Sequence, residues 1–537
     1  MKILNILGIA FLSSFCSKGG ENGGGQQNPC IFLGRDTCAT KAPVAVTIRL
    51  NDKRQVIHSF GASDCWTTKH IGSWGDVSKK NQAADYLFSL DTTQDGSPKG
   101  IGLSLWRFNI GAGSLEQGAA SNITDEWRRE ECFQAADGTY DWSKSAGQQW
   151  FLRAAKQRGV KYTLGFSLSP QVHLTVNGKA FNGTTTPGMN IQPGRMQAYA
   201  DFLAEVTKHF GFDYLSPVNE PQWNWGNGNQ ANQEGTQATN DQVAELSKLT
   251  AQKLAGTNAQ IVVGESGTLE YLYDKNNDMR GDQIRQFFSP SSPYFLGNTP
   301  NIAKIISGHS YFTTCPDNTL VNVRQQAAGR AAQTDAGLQL WQTEFGILGD
   351  ICGQYNGSPR NTGIDYGLYV AKVLHHDLAV LGVTSWQWWL AVSPYNYSDA
   401  LVYINDINGQ INVGNCKTDG IVLDSKQLWA FGQYARFVRP GMRRVETSVA
   451  GIGSPLEAAS QLMISTYIQE TDKGLVTVIV NPQNQEKHIQ LDGVNWVNGR
   501  LNQYTTDNTR NCKRSWADAA DIVVPARSIV TITGKYK

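Results

Sequence analysis

Between Val56 and Trp388, eight short apolar runs recur, each bounded by turn residues and separated from the next by a helix-length segment. They are Val56–Gly61, Gly102–Ile110, Val160–Phe166, Tyr214–Val218, Gln260–Gly264, Ala303–Ser307, Leu338–Thr343 and Gly382–Trp388. Between them, Arg195–Phe210 places Met196, Tyr199, Phe202, Leu203 and Val206 at helical spacing, and Asp241–Leu254 and Ile364–Leu381 also read as helices. Strands that alternate with helices in this way are parallel and joined by crossovers. Eight such units predict an α/β fold, a (β/α)8 TIM barrel, which closes without leaving an edge. An open doubly wound sheet would show a phosphate-binding glycine turn early. The one candidate, GAGSLE from Gly111, lacks the third glycine.

After the eighth strand, Lys426–Val438 reads as a last helix, closed by Arg439, Pro440 and Gly441. The pattern then changes to short alternating runs at Leu462–Ile468, Gly474–Asn481, His488–Leu491, Ile522–Val524 and Ser528–Thr533. That is antiparallel grammar, and it predicts an attached small β-sandwich. The expected division is a barrel over 56–440 and a sandwich over 441–537. A strand within 42–55, beginning at Val44, joins the sandwich from the N-terminal side. A chain of 537 residues is long enough for one large unit and one smaller one.

The first residues, MKILNILGIAFLSSFC, carry one lysine, an apolar run from Ile3 to Phe15, and then Cys16. The run is too short to span a bilayer and has the form of a signal-peptide core, so export is expected. Cys16, followed by the Gly-rich leader over 17–41, resembles a bacterial lipoprotein signal; lipidation there would attach the chain to a membrane at the cell surface or in the periplasm. Eight further cysteines permit disulfides, with Cys30 and Cys38 near enough to close a small loop, while buried free thiols are an equal alternative. No pair is spaced for zinc.

Charge is balanced, with Lys+Arg 47 against Asp+Glu 46, which argues against a nucleic-acid partner. The Trp count is 15, and several of these sit in polar, Gly-rich stretches, where flat rings suit the C–H edges of sugars.

Active sites of such barrels gather at the C-terminal ends of the strands. The fourth strand ends in Asn219-Glu220 and the seventh, LQLWQTEFG, in Glu344; the fifth offers Glu265 in VVGES. Alone, Glu220 before Pro221 could start a helix, and Glu344 could serve a strand-end ion pair. Together at two barrel ends they suit glycoside hydrolysis, in which one carboxyl is protonated to release the leaving oxygen and the other is ionised. Burial and the partner's charge raise the pKa of the acid. Asn219 would hold the sugar 2-OH. A serine hydrolase is excluded because no G-x-S-x-G elbow occurs. A metalloenzyme is disfavoured because the eight histidines are scattered apart from His375-His376.

These residues carry a resemblance. SPVNEPQWNW, LWQTEFG, LSLWRFNIGAGS, SWQWW, FVRPGMRRV and VVPARSIV are similar to glycoside hydrolase family 30, from about Val44 to the C-terminus, and most like its endo-β-1,6-galactanase branch. The resemblance implies retention of anomeric configuration, with Glu220 as acid/base and Glu344 as nucleophile. It implies Arg107 and Asn219 near the nucleophile and the 2-OH, Tyr311 steadying the nucleophile, and Trp386 as the floor under the sugar. Beside these, Asp64 and Trp66 in SFGASDCW sit where hydroxyls and a ring face could be met. Strand alternation puts Trp388 on the side of Trp386, with Trp389 opposite, and packing in the barrel wall is the equal alternative for these residues. Trp223 and Trp225 are candidate walls of the next subsite. His173 departs from the small residues and tryptophans usual on the third loop, and His309 reads as a satisfied structural histidine, with pairing to a carboxylate as the alternative. The expectation is an exported, monomeric retaining endo-glycosidase for β-1,6-linked galactan that needs no cofactor or metal. The alternatives are β-1,6-glucan, xylan or an exo-acted β-galactoside or β-fucoside, or a silent glycan-binding surface protein.

Overall fold

The structure, a computed structural model, describes residues 42–274 and 279–537, and the backbone alone of residues 31, 32, 35 and 36. The apolar run before Cys16, Cys16 itself, Cys30 and Cys38 lie outside the described residues. Ile31–Phe32 pairs antiparallel with Arg35–Asp36 in a unit of its own, and Pro43–Lys537 form the second unit.

The second unit is built on eight parallel strands: β1 (Ser59–Ser63), β2 (Leu105–Ile110), β3 (Tyr162–Ser167), β4 (Tyr214–Ser216), β5 (Gln260–Ser266), β6 (Ile302–His309), β7 (Gln339–Glu344) and β8 (Ser385–Ser393). Neighbours pair in chain order, and β8 pairs with both β7 and β1, so the sheet closes into a barrel. Every residue of β1, β2 and β8 is buried. Parallel strands lie under helices on one face and fill the barrel on the other, which is why their sequences read as unbroken apolar runs. The polar residues that interrupt them, Arg107 on β2 and Thr343 and Glu344 on β7, are therefore costly where they stand and need partners inside.

Helices cover the strands as the spacing predicts. Met196–Phe210 turns Tyr199, Phe202, Leu203 and Val206 inward and stops at Gly211, whose φ of 63° suits the helix end. Asn240–Lys253 begins with a capping box between Thr239 and Gln242. Ile364–His376 continues into one π turn, Asp377–Leu381, and this irregular turn carries a buried carboxyl, Asp377.

At the C-terminal ends, the pairing register slips. β7 slips against β6 between Gln342 and Glu344, β8 against β1 between Trp388 and Leu390, and β5 against β6 up to Ser266. Such bulges re-aim side chains at barrel rims.

The second sheet has nine strands, mostly antiparallel, around a separate apolar core in which Val46, Leu501, Ile522 and Val530 share one cluster. Val44–Val56 pairs antiparallel with Arg443–Val449 and parallel with Lys487–Asp492, so the N-terminal strand lies inside this sheet. Among the described residues, the disulfide Cys315–Cys352 ties the loop after β6 to the loop after β7, and Cys65, Cys132, Cys416 and Cys512 are free and buried. Among the described residues, no helix is long and apolar enough to cross a membrane.

Candidate active site

β4 is three residues long and then breaks, because Pro217 has no N–H to continue the ladder. Glu220 follows at a φ of 45°, with its N–H donating to the Glu265 main-chain oxygen at 2.9 Å. A non-glycine held in that region costs about 1–3 kcal/mol and persists only where surroundings enforce it. The result turns the Glu220 carboxyl toward Glu344: an oxygen of each, and a ring nitrogen of His309, all lie within 4.8 Å of one another.

Glu344 is held by two donors. Arg107 Nη1 reaches its Oε2 at 2.7 Å, and the Tyr311 hydroxyl donates to Oε1 at 3.1 Å. Arg107 is fully buried against the Phe166 ring and spends Nη2 on Asn219 Oδ1 (2.8 Å) and Glu265 Oε2 (3.0 Å). Burial pushes the Glu344 carboxyl upward, His309 and Arg107 oppose that push, and the negative charge of Glu220 adds to it. Burial, and then the Glu344 charge, hold the Tyr311 hydroxyl well above its ordinary value, so it stays a donor.

Glu265 sits beneath this pair. It accepts from Ser216 at 2.6 Å, Thr343 at 2.9 Å, His309 Nε2 at 2.9 Å and Arg107. Burial alone would raise its carboxyl, but Arg107, His309 and Ser216 outweigh burial and pull it down to about 2. His309, also fully buried, bonds Glu220 Oε1 through Nδ1 at 2.8 Å. Burial disfavours its charge, yet Glu344, Glu220 and Glu265 together raise it to about 10.

The acids open onto a cleft of about 410 Å³ walled by Trp223, Trp225, Phe312 and Trp389. Trp225 is fixed by its indole N–H, which donates to the Glu220 carbonyl at 3.1 Å. Both tryptophans lie against glycines: a Cβ on Gly267 would stand 2.3 Å from the Trp223 ring, and one on Gly235 would stand 2.3 Å from that of Trp225.

Of the residues read from sequence, Glu220, Glu344, Arg107, Asn219 and Tyr311 come together here, and Trp223 lines the cleft. Four do not reach it as expected. Trp386 and Trp388 share one side of β8, but it is the side facing the helices: both are fully buried, with indole N–H groups donating to Asp377 Oδ2 and the Asp399 carbonyl. Asp64 has no exposed surface, and its carboxyl accepts from the Asn109 N–H and Gln148. Burial holds that carboxyl well above its ordinary value. Trp66 is almost buried and packs edge-on behind Trp389, ring centres 5.2 Å apart.

The sequence reading did not assign Trp389, Glu265 or His309 to the site. Trp389 reaches the cleft because the β8 bulge falls on it, and residue alternation carries no mark of that. Glu265 and His309 did carry a signal, a polar residue closing an otherwise apolar strand in VVGES and IISGH. Their joint role emerges only once β5 and β6 stand side by side.

Residues 43–403 match the model of O-Glycosyl hydrolase family 30. A conserved exported protein of Bacteroides fragilis is 30% identical, the match covering 91% of this chain and all of that one, at a TM-score of 0.85. The catalytic domain of a family 30 xylanase C from Talaromyces cellulolyticus is 21% identical over 91% of this chain and 100% of its own, at a TM-score of 0.64. An endo-β-1,6-glucanase is 15% identical over 93% and 94%, at a TM-score of 0.61. The last two speak for the fold, a barrel with a β-sandwich. With two thirds of the chain under one family model and two glutamates facing across a barrel mouth, the chain belongs to O-glycosyl hydrolase family 30.

Proposed function

We propose that the protein is an exported, monomeric retaining endo-glycosidase that hydrolyses β-1,6-linked galactan by double displacement. Glu344 attacks the anomeric carbon while Glu220 protonates the leaving oxygen, and Glu220 then draws a proton from the water that releases the sugar. The observation that carries this reading is that one carboxylate oxygen of Glu220 lies within 4.8 Å of one of Glu344, a near approach of the two groups. Retaining enzymes hold the two groups about 5–5.5 Å apart, whereas an inverting enzyme leaves about 6.5–9.5 Å for a water. Arg107 and Tyr311, which both donate to Glu344, favour the ionised form that a nucleophile needs. The open cleft supports internal attack on a chain, and the motifs around Glu220, Glu344 and Trp386 support the galactan assignment.

A second reading keeps the chemistry and exchanges the sugar for glucose, favoured by the likeness to an endo-β-1,6-glucanase. Product analysis on β-1,6-galactan, β-1,6-glucan and glucuronoxylan separates the two. The expected result is a ladder of galacto-oligosaccharides whose first-formed anomer is β by NMR. An α product ends the retaining assignment, and turnover of glucan alone selects the second reading.

A further inference from the structure

His309 is fully buried between three carboxyl groups that arrive on or just after three different strands, and the two displacement steps do not use it. Its two ring nitrogens face unlike partners. Nε2 meets Glu265, whose oxygens already take hydrogen bonds from Arg107, Ser216 and Thr343, so that carboxyl stays ionised and Nε2 must carry a hydrogen. Nδ1 meets Glu220 Oε1 at 2.8 Å, with Glu344 Oε1 3.8 Å away. The remaining neighbours are Tyr311, a neutral phenol whose ring packs edge-on at 5.9 Å, and Arg107, beyond Glu265 and Glu344.

Charge in a buried cluster must nearly cancel. Three carboxyl groups face two cations if His309 is charged. The cluster is then neutral when one carboxyl holds a proton. Glu265, with four donors, cannot be that one, and Glu344 is bonded by Arg107 and Tyr311. The proton falls to Glu220, whose Oε1 is taken by His309 and whose Oε2 is left for the cleft. Its presence there removes the negative charge that pushes Glu344 upward, and so leaves the nucleophile ionised.

We propose that His309 is held as an imidazolium and serves as the fixed counter-charge of Glu220 through both half-reactions. The proposal rests on the double-displacement reading above. In the first half-reaction the Glu344 carboxylate forms a bond to the anomeric carbon. The glycosidic C–O bond breaks with its electron pair passing to the leaving oxygen, and that oxygen takes the Oε2 proton of Glu220. Glu344 becomes a neutral ester as Glu220 becomes a carboxylate, so the negative charge moves from one side of the ring to the other and the cluster stays neutral. In the second, water gives a proton to Glu220, its oxygen bonds the anomeric carbon, and the ester electron pair returns to Glu344. The imidazolium touches neither substrate nor reacting atoms, which makes His309 a positioning residue.

The test is the pH profile of kcat/KM for His309→Gln, an uncharged side chain that can still donate to one carboxylate. Removing a cation from beside Glu220 makes that carboxyl hold its proton more tightly, so the alkaline limb should move upward by about 1–3 pH units. Substrates with poor leaving groups should lose more rate than those with good ones. A folded variant whose limb stays in place overturns the proposal. The wild-type enzyme provides a second check that needs no variant to fold. Of its eight histidines, one should keep both ring nitrogens protonated at pH 8 by 15N NMR; a spectrum without such a ring overturns it too. If Glu220 and Glu344 prove essential while the limb does not move, only the role of His309 fails. If both glutamates prove dispensable, the double-displacement reading has failed first.

Discussion

Among single side chains, Glu220 and Glu344 differ in what their loss should do. Glu344→Ala removes the atom that bonds the sugar and should lower kcat by at least about 10⁴-fold on every substrate. Glu220→Ala removes the proton donor, so poor leaving groups should lose about 10²–10⁴-fold while good ones still glycosylate the enzyme. Azide should then restore part of the turnover. Steady-state kinetics with a paired set of aryl glycosides checks both, and equal loss on good and poor leaving groups would count against the acid role. The two glutamates were legible in the sequence because each ends an apolar strand, where burial makes an idle carboxyl too costly to keep. Asp64 satisfies the same description and is a buried structural acceptor instead, so a polar residue at a strand end marks a candidate and nothing finer.

In strand β8 the order Trp386, Gln387, Trp388, Trp389 shows how an element can be read correctly and its faces reversed. Alternation groups Trp386 with Trp388, as the structure does, but which group meets the substrate depends on the bulge after Trp388. The two faces should separate experimentally. Trp386→Ala opens a hole between Phe345, Trp388 and Phe431 and removes one of the donors to the buried Asp377 carboxylate, and should destabilise the fold by about 3–5 kcal/mol in urea unfolding. Trp389→Ala removes a cleft wall and should raise KM by about tenfold with little effect on kcat. A Trp389→Ala enzyme with unchanged KM would show that the wall does not touch the sugar. In the second sheet, the strands missed by pattern, Arg443–Val449, Arg500–Thr506 and Lys513–Asp518, share a physical reason. Their outer faces are wet and charged, and each turns only a few apolar residues inward.

For the molecule as a whole, buried titratable groups pull stability in opposite directions with pH. Burial pushes His58, His70 and His376 from 6.5 down to about 4. As pH falls through that window the unfolded chain takes up protons that the folded chain refuses, and stability is lost. Burial pushes Glu130 and Glu234 from 4.5 up to about 7 and about 8. There the folded chain keeps protons that the unfolded chain releases, so stability is lost as pH rises from 4.5 to 8. His309, raised from 6.5 to about 10, extends the same loss upward. The melting temperature should therefore peak between about pH 4.5 and 6.5 and fall on either side. A series of thermal melts checks this, and a melting temperature still climbing at pH 9 would contradict it.

The strand Val44–Val56 lies between Arg443–Val449 and Lys487–Asp492, so its two hydrogen-bonding edges wait for partners about four hundred residues later in the chain. Throughout synthesis this thirteen-residue segment is available to any other extended backbone it meets. A product cut short before Arg443 would carry a complete set of barrel strands and glutamates, yet with a bare ribbon at its start, and such fragments should stick to one another rather than work.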